Sequence, residues 1–169
     1  EYFATGKIPK RTGNNHPIAA PYGLFRATDG MVAVAPSNEI FVHRFLEVVG
    51  LLHLLEESRF LTNADRMENR DALVEIINAV TETRSVVHWI EVINKGGCPC
   101  GRVMNLGEVF SDPQVLSQEM VLEVDHPGHG MVKMTGFPVK LSETPPKLHR
   151  PAPKLGEHTE EVLGELRKW

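Results

Sequence analysis

The stretch Tyr22-Gly23-Leu24-Phe25-Arg26-Ala27-Thr28-Asp29-Gly30-Met31-Val32-Ala33-Val34-Ala35 decides the fold. Two apolar, β-prone runs, 22–27 and 31–35, flank Thr28-Asp29-Gly30. An Asp-Gly step between such runs is a hairpin signal, because these residues accept the backbone angles of a tight reversal. Just upstream, Thr12 to Tyr22 (TGNNHPIAAPY) is rich in Gly, Asn and Pro and reads as a loop. Downstream, apolar residues recur at helical spacing three times. The first stripe is Phe41, Phe45, Val48 and Leu52, interrupted by Gly50 near its end. The second is Leu73, Ile76, Ile77 and Val80, with Asn69 placed as N-cap. The third is Val86, Trp89, Ile90 and Ile93, with Ser85 as cap and Gly96-Gly97 as terminator. Each stripe must bury one face, so these helices pack on the hairpin or on one another, and the aromatic residues on the stripes belong to the core.

After Cys100-Gly101 the pattern loosens. Leu106 to Phe110 and Pro113 to Leu116 read as short helices, with Pro113 suited to a first turn. Val121 to Val124 and Met131 to Met134 read as a second hairpin joined by the loop Asp125 to Gly130. Ser142 to Pro153 holds four prolines and reads as an extended connector. A last helix is expected from about Thr159 to Lys168, with Glu160 and Glu161 at its start and Arg167 and Lys168 at its end, a charge order that suits the helix dipole. This tail is too thin to hold a core of its own and is expected to pack against something else. The fragment is therefore expected to be α+β, and no internal repeat is found.

Composition narrows the function classes. The 169 residues are 41% hydrophobic and 24% charged, an ordinary globular balance. Eighteen Lys and Arg against 22 Asp and Glu give a formal charge of -4, a poor match for phosphate-backbone binding. Lys7, Lys10 and Arg11 gather near one end and read as a solvated segment. No stretch approaches the roughly 18 apolar residues of a membrane span. Glu1 to Lys10 resembles neither a signal nor a transit peptide, and the first residue is not Met. The chain thus reads as soluble, cytoplasmic and cut from something longer.

Reactive side chains are few. Cys98 and Cys100 are separated only by Pro99, which strains any disulfide between them, so two free thiols are expected. Cys98, Cys100, His126 and His129 could in principle supply four zinc ligands, but Cys-Pro-Cys falls short of the Cys-x(2–4)-Cys spacing of structural zinc, and the histidines suit a hairpin loop. No metal site is expected. A thiol nucleophile needs an adjacent base, and nothing places His88 near either cysteine. Phosphate-loop motifs are absent. The loop Thr12-Gly13-Asn14-Asn15-His16-Pro17 remains: Gly and Asn reach backbone angles that other residues avoid, and backbone N–H groups of such a loop can cover a charged ligand.

Several segments together resemble class III coenzyme A transferases, the group that includes carnitine dehydratase, bile-acid-inducible and formyl-CoA transferase members and α-methylacyl-CoA racemase. They are Tyr2 to Lys7, Gly13 to Pro17, Ala20 to Phe25, Thr28 to Gly30, Thr62 to Arg66, Asn69-Arg70, Gly97 to Gly101, Asp112 to Val115, Pro151 to Pro153 and Leu155 to Thr159. The resemblance covers nearly the whole chain, and it implies much. The fold would be α/β overall, with this chain supplying the small hairpin-plus-helices domain and a tail returning to a Rossmann-like large domain. Residues 1–20 would be linker and active-site loop, 21–102 the small α+β domain, and 103–169 the connector and C-terminal segment. Family dimers are interlocked, so a homodimer is implied. No cofactor is implied; a coenzyme A thioester is the substrate and a carboxylic acid its partner, without nucleic acid or membrane.

The resemblance further implies covalent catalysis by an aspartate upstream of Glu1, so that no catalytic residue lies in this chain. It makes Gly13, Asn14, Asn15 and His16 the active-site loop, matching a glycine-rich loop that closes over the site in the formyl-CoA branch. Here Asn14, Asn15 and His16 replace most of those glycines, giving a stiffer, more polar loop of the kind found in branches acting on longer dicarboxylates. The position after Cys-Gly, commonly Pro, is Arg102. Leu155 to Thr159 would cap the last helix through Thr159 or the preceding turn.

The leading reading is a transferase moving coenzyme A between carboxylic acids. The alternatives are a 2-methylacyl-CoA racemase of the same family, a non-catalytic interaction fragment, and a zinc-binding module. On any of them the tail exposes Val162, Leu163 and Leu166, so the chain by itself should be poorly stable or self-associate. A sharp monomeric melting transition in dilute solution would contradict this.

Overall fold

The expected hairpin forms in the computed structural model, which describes residues 2–167. Strands β1 (Gly23–Ala27) and β2 (Gly30–Val34) pair antiparallel, with Ala27 opposite Gly30, leaving Thr28 and Asp29 as the loop. Phe25 faces Val32 and Gly23 faces Val34; Phe25, Val32 and Val34 are buried and form the sheet's contribution to the core. Asp29 also serves a second element, since its Oδ1 accepts the N–H of Val86 at 2.7 Å.

A third strand, β3 (Cys100–Arg102), completes the sheet in the order β1-β2-β3, pairing Cys100 with Val34 and Gly101 with Ala33. This strand was not anticipated. Three residues between turn formers carry no alternation to detect; they become a strand because β2 offers them an unpaired edge.

Helices cover the sheet. A single turn, α1 (Tyr2–Thr5), stands within the segment expected as linker. Helix α2 (Glu39–Val48) is capped by Asn38, which accepts the N–H of Phe41 at 3.0 Å. Its buried stripe is Val42, Phe45, Leu46 and Val49, rotated from the expected Phe41, Phe45, Val48 and Leu52. Gly50, at φ +74°, ends the helix, and the Leu51 N–H closes on the Leu46 carbonyl at 2.7 Å, the bonding of a Schellman stop. Leu52 therefore begins a separate 3-10 turn, Leu52–Glu56.

Helix α3 (Asn63–Glu68) was not anticipated. It opens with a capping box in which Thr62 and Asp65 each satisfy the other's backbone. Helix α4 (Arg70–Thr81) follows at once. Asn69 stands at its N-cap position, yet its side chain does not cap; Nδ2 donates instead to the Arg59 and Asp65 carbonyls, because the residue also ends α3. Leu73 and Ile77 are buried, and Asn78 accepts the N–H of Arg26 at 2.8 Å, fastening α4 to β1. Helix α5 (Val86–Lys95) is capped by Ser85 as expected and buries Val86, Trp89 and Ile93; the indole N–H donates to the Thr81 carbonyl at 2.6 Å.

The chain divides after Val103 into two compact units. In the second, α6 (Leu106–Val109) and α7 (Pro113–Ser117) precede the hairpin of β4 (Val121–His126) and β5 (Gly130–Thr135) and the helix α8 (Thr159–Leu166). The hairpin pairs through His126 and Gly130, so its loop is only residues 127–129, shorter than expected. At α8 the cap position is His158 without a side-chain bond and Thr159 is the first helical residue, so of the two expectations it is the preceding turn, residues 155–158, that leads into the helix, with the Gly156 carbonyl accepting the Thr159 N–H at 3.1 Å. Lys168, expected at the helix end, lies outside the described residues. No described residue of this unit is buried, and Val162, Leu163 and Leu166 are exposed. The architecture is α+β.

One buried charge organises the first unit. Arg66 of α3 is fully buried and donates to the Ala20 carbonyl at 2.7 Å, to the Phe60 carbonyl at 3.1 Å and to Glu39 of α2. Arg66→Ala strands these acceptors and should lower stability by about 3 kcal/mol. Glu39 is 66% exposed, so Glu39→Gln should cost less than about 1 kcal/mol. Urea denaturation of both variants checks the contrast.

Candidate functional site

The segment from Thr12 to Tyr22 has no regular structure but is tied down along its length. Gly13, at φ +60°, adopts the left-handed conformation that favours glycine, and the Asn15 N–H then donates to the Thr12 carbonyl at 3.1 Å. The His16 N–H donates to the Tyr22 carbonyl at 2.9 Å, closing the segment on itself. The His16 imidazole stacks on the Tyr22 ring, with centroids 4.6 Å apart and planes 17° off parallel. Gly23 permits this closure: a Cβ there would lie 2.5 Å from Asn15 Oδ1 and 3.0 Å from the Asn14 carbonyl oxygen.

Helices α3 and α4 hold the same segment from outside. Asn63 spans it, donating to the Ile18 carbonyl at 2.9 Å and accepting the Ala20 N–H at 3.1 Å. Arg66 binds the Ala20 carbonyl, and Arg70 Nη2 donates to the His16 carbonyl at 2.9 Å. Asn63, Arg66 and Arg70 are spaced i, i+3 and i+7, which places them on one helical face even though Asn69 separates the two helices. Reading the sequence for apolar stripes missed these three; the polar residues at helical spacing after the Thr62–Asp65 capping box were the signal that could have found them.

The structure brings Gly13, Asn14, Asn15 and His16 together in one turn, with Gly13 and Asn14 exposed and Asn15 and His16 half-buried. The turn lies between two depressions. One of about 300 Å³ is lined by His16, Tyr22, Asn38, Glu39 and Asn63, among others. The other, about 390 Å³, is lined by Asn14, Tyr22, Gly23, Ala33 and Cys100, among others. A wider depression of about 1220 Å³ is lined by Lys7, Lys10 and Arg70, among others, and the buried Arg70 Nε has no hydrogen-bond partner among the described residues. Lys7, Lys10 and Arg11 are exposed, as expected of a solvated segment, and Lys7 and Lys10 also border this depression.

Neither cysteine sits in surroundings that favour a thiolate nucleophile. Cys98 is buried and Cys100 half-buried, both as free thiols. Burial pushes Cys98 up to about 11, with the neighbouring Cys100 adding to the shift, and burial likewise raises Cys100. Both shifts disfavour the thiolate, which is the reactive form. The His88 ring packs edge-on against Trp89. His126 and His129 meet edge to face at the tip of the second hairpin. Among the described residues no three His, Cys, Asp or Glu side chains gather to hold a metal ion.

The family model of CoA-transferase family III matches residues 1–159. The chain belongs to this family. It is 36% identical over 157 residues to the acetyl-CoA:oxalate CoA-transferase of Acetobacter aceti, covering 92% of this chain and 39% of that protein. It is 31% identical over 168 residues to the human succinyl-CoA:glutarate CoA-transferase, covering 99% and 38%. The crystal structure of a CAIB/BAIF family protein from Brucella suis superposes with a TM-score of 0.71 at 33% identity, covering 98% of this chain and 42% of that one. Rv3272 from Mycobacterium tuberculosis, at 19% identity and a TM-score of 0.72, shares the fold. The chain thus spans about two fifths of the length of these family members.

The clamp has a measurable consequence. Arg70→Ala frees the His16 carbonyl, so the amides of Asn15 and His16 should exchange with deuterium about tenfold faster or more, while Arg70→Lys should recover part of the protection. Exchange rates in the two variants equal to those of the parent would show that the loop holds without α4.

Proposed function

We propose that the chain is the C-terminal part of an acyl-CoA transferase that moves coenzyme A between carboxylic acids, and that Gly13 to His16 forms one wall of its active site. The observation that carries this reading is a polar loop, held by α3 and α4, in a member of CoA-transferase family III. The names of the relatives support a dicarboxylic acid as acceptor. Several are named as transferases for oxalate, glutarate, mesaconate or citramalate, all dicarboxylic acids. The enzyme works as a homodimer in the cytoplasm.

The proposed chemistry is a sequence of acyl substitutions at an aspartate outside this chain. The Asp carboxylate attacks the thioester carbonyl and expels coenzyme A as thiolate, leaving a mixed anhydride. The thiolate attacks the aspartyl carbonyl of that anhydride, releasing the donor acid and forming an aspartyl thioester. The acceptor carboxylate repeats the first step on this thioester, and the thiolate then attacks the acceptor's acyl carbon, yielding the new acyl-CoA and free Asp. Both anhydrides are prone to hydrolysis, and a wall that excludes water protects them. A loop fixed at several points does this without a large closing motion.

The test uses a longer chain that contains these residues. With succinyl-CoA and oxalate, glutarate or mesaconate, it should form the matching acyl-CoA, and hydroxylamine should trap an aspartyl hydroxamate. No transfer to any acid, together with solvent deuterium entering C2 of a 2-methylacyl-CoA, would replace the transferase reading by the racemase.

A further inference from the structure

The tip of the second hairpin carries two histidines that the proposed chemistry does not use. The reversal between β4 and β5 brings them together: the His129 N–H donates to the His126 carbonyl at 2.9 Å, and Gly128 and Gly130 take the left-handed angles that the turn requires. The ring centroids of His126 and His129 stand 4.9 Å apart, with their planes at 64°. His126 Nδ1 lies 3.1 Å from the Pro127 carbonyl oxygen. A carbonyl only accepts, so in this contact Nδ1 carries the proton and Nε2 keeps its lone pair.

That is the form in which imidazole binds metal ions, with a backbone carbonyl on the other nitrogen fixing both tautomer and ring. The separation fits as well. Two imidazoles held by one ion at about 2.0–2.1 Å, with a near-tetrahedral angle between them, have centroids about 5 Å apart. Among the described residues, His126 Nε2 and both ring nitrogens of His129 have no hydrogen-bond partner. His126 is half-buried and His129 exposed, so an ion reaches both without unfolding and water completes its coordination. Asp125, the preceding residue of β4, and Lys154, whose ammonium reaches Gly128, set one charge of each sign beside the tip.

We infer that His126 and His129 form a site for a divalent transition-metal ion, with His126 Nε2 as the oriented ligand and His129 as its partner. Copper(II) is the ion such a pair holds most tightly, ahead of nickel(II) and zinc(II), whereas magnesium and calcium prefer oxygen ligands. The ion's role is to steady the hairpin. Neither β4 nor β5 has a buried residue, and a clip across their reversal ties together two strands that are marginal alone. The inference stands whether or not the transferase reading does.

Copper(II) titrated into the longer chain, in a buffer that does not chelate it, tests the site directly. Pulsed electron paramagnetic resonance of the tightest-bound copper should count two imidazole nitrogens. His126→Ala and His129→Ala should each weaken that binding about tenfold or more and leave a single imidazole on the metal. His149→Ala, which removes an exposed histidine elsewhere in the second unit, should leave it unchanged. Equal affinity in all four proteins, or a single imidazole in the parent, shows adventitious copper only and overturns the inference. Amide exchange tests the role. Saturating zinc(II) should slow deuterium uptake across β4 and β5 about threefold or more in the parent and not in His129→Ala, with β1 and β2 unaltered in both. Hairpin exchange that ignores zinc in the parent overturns the steadying role, while a two-imidazole copper signal in the same protein upholds the site.

Discussion

A guanidinium without exposed surface must find acceptors on every side, and Arg66 finds them in three separate parts of the first unit. The Ala20 carbonyl ends the glycine- and asparagine-rich loop, the Phe60 carbonyl lies just before α3, and Glu39 opens α2. Such a charge is tolerated only when fully satisfied, because an unpaired buried ion costs several kcal/mol. Loss of either carbonyl contact leaves a buried N–H unpaired, whereas the exposed Glu39 stands where water can replace it.

The candidate site inherits its rigidity from that arrangement. Asn63, Arg66 and Arg70 grip the segment 16–20 from one helical face, while Gly23 lets the turn approach the sheet. Glycine-rich loops are mobile because their backbone has many accessible states to lose. Here Asn15 and His16 stand in the turn, and each contact to α3, α4 or Tyr22 removes further freedom. In the proposed mechanism, preorganisation of this kind would keep water from the anhydride, since no ordering remains to be done when a substrate arrives.

The second unit presents the opposite situation. Every described residue of β5 is exposed, as are Val162, Leu163 and Leu166 of α8, so its backbone forms elements that bury no core of their own. Local devices account for those elements: the capping box of Asn105 and Glu108, Pro113 in a first turn, and the pair of Arg150 with Glu161. Hairpins and short helices of this size are marginal without tertiary packing.

Much of this was legible in the residues themselves. The two-residue reversal at Thr28-Asp29, the Ser85 cap, the Leu73 and Ile77 stripe and the place of Gly13 to His16 in one loop are all set by neighbours within a few positions. The sequence by itself determined those, because caps, turns and helical faces depend on local geometry. Tertiary structure alone decided the rest. Strand β3 exists because β2 had a free edge; Asn69 serves the end of α3 rather than the start of α4; Arg66 and Arg70 turn inward to carbonyls rather than out to water. Arg70 and His16 meet across 54 positions, and the Arg66 bond to Ala20 spans 46. Bonds of that reach depend on where whole elements pack, and no run of adjacent residues encodes that placement.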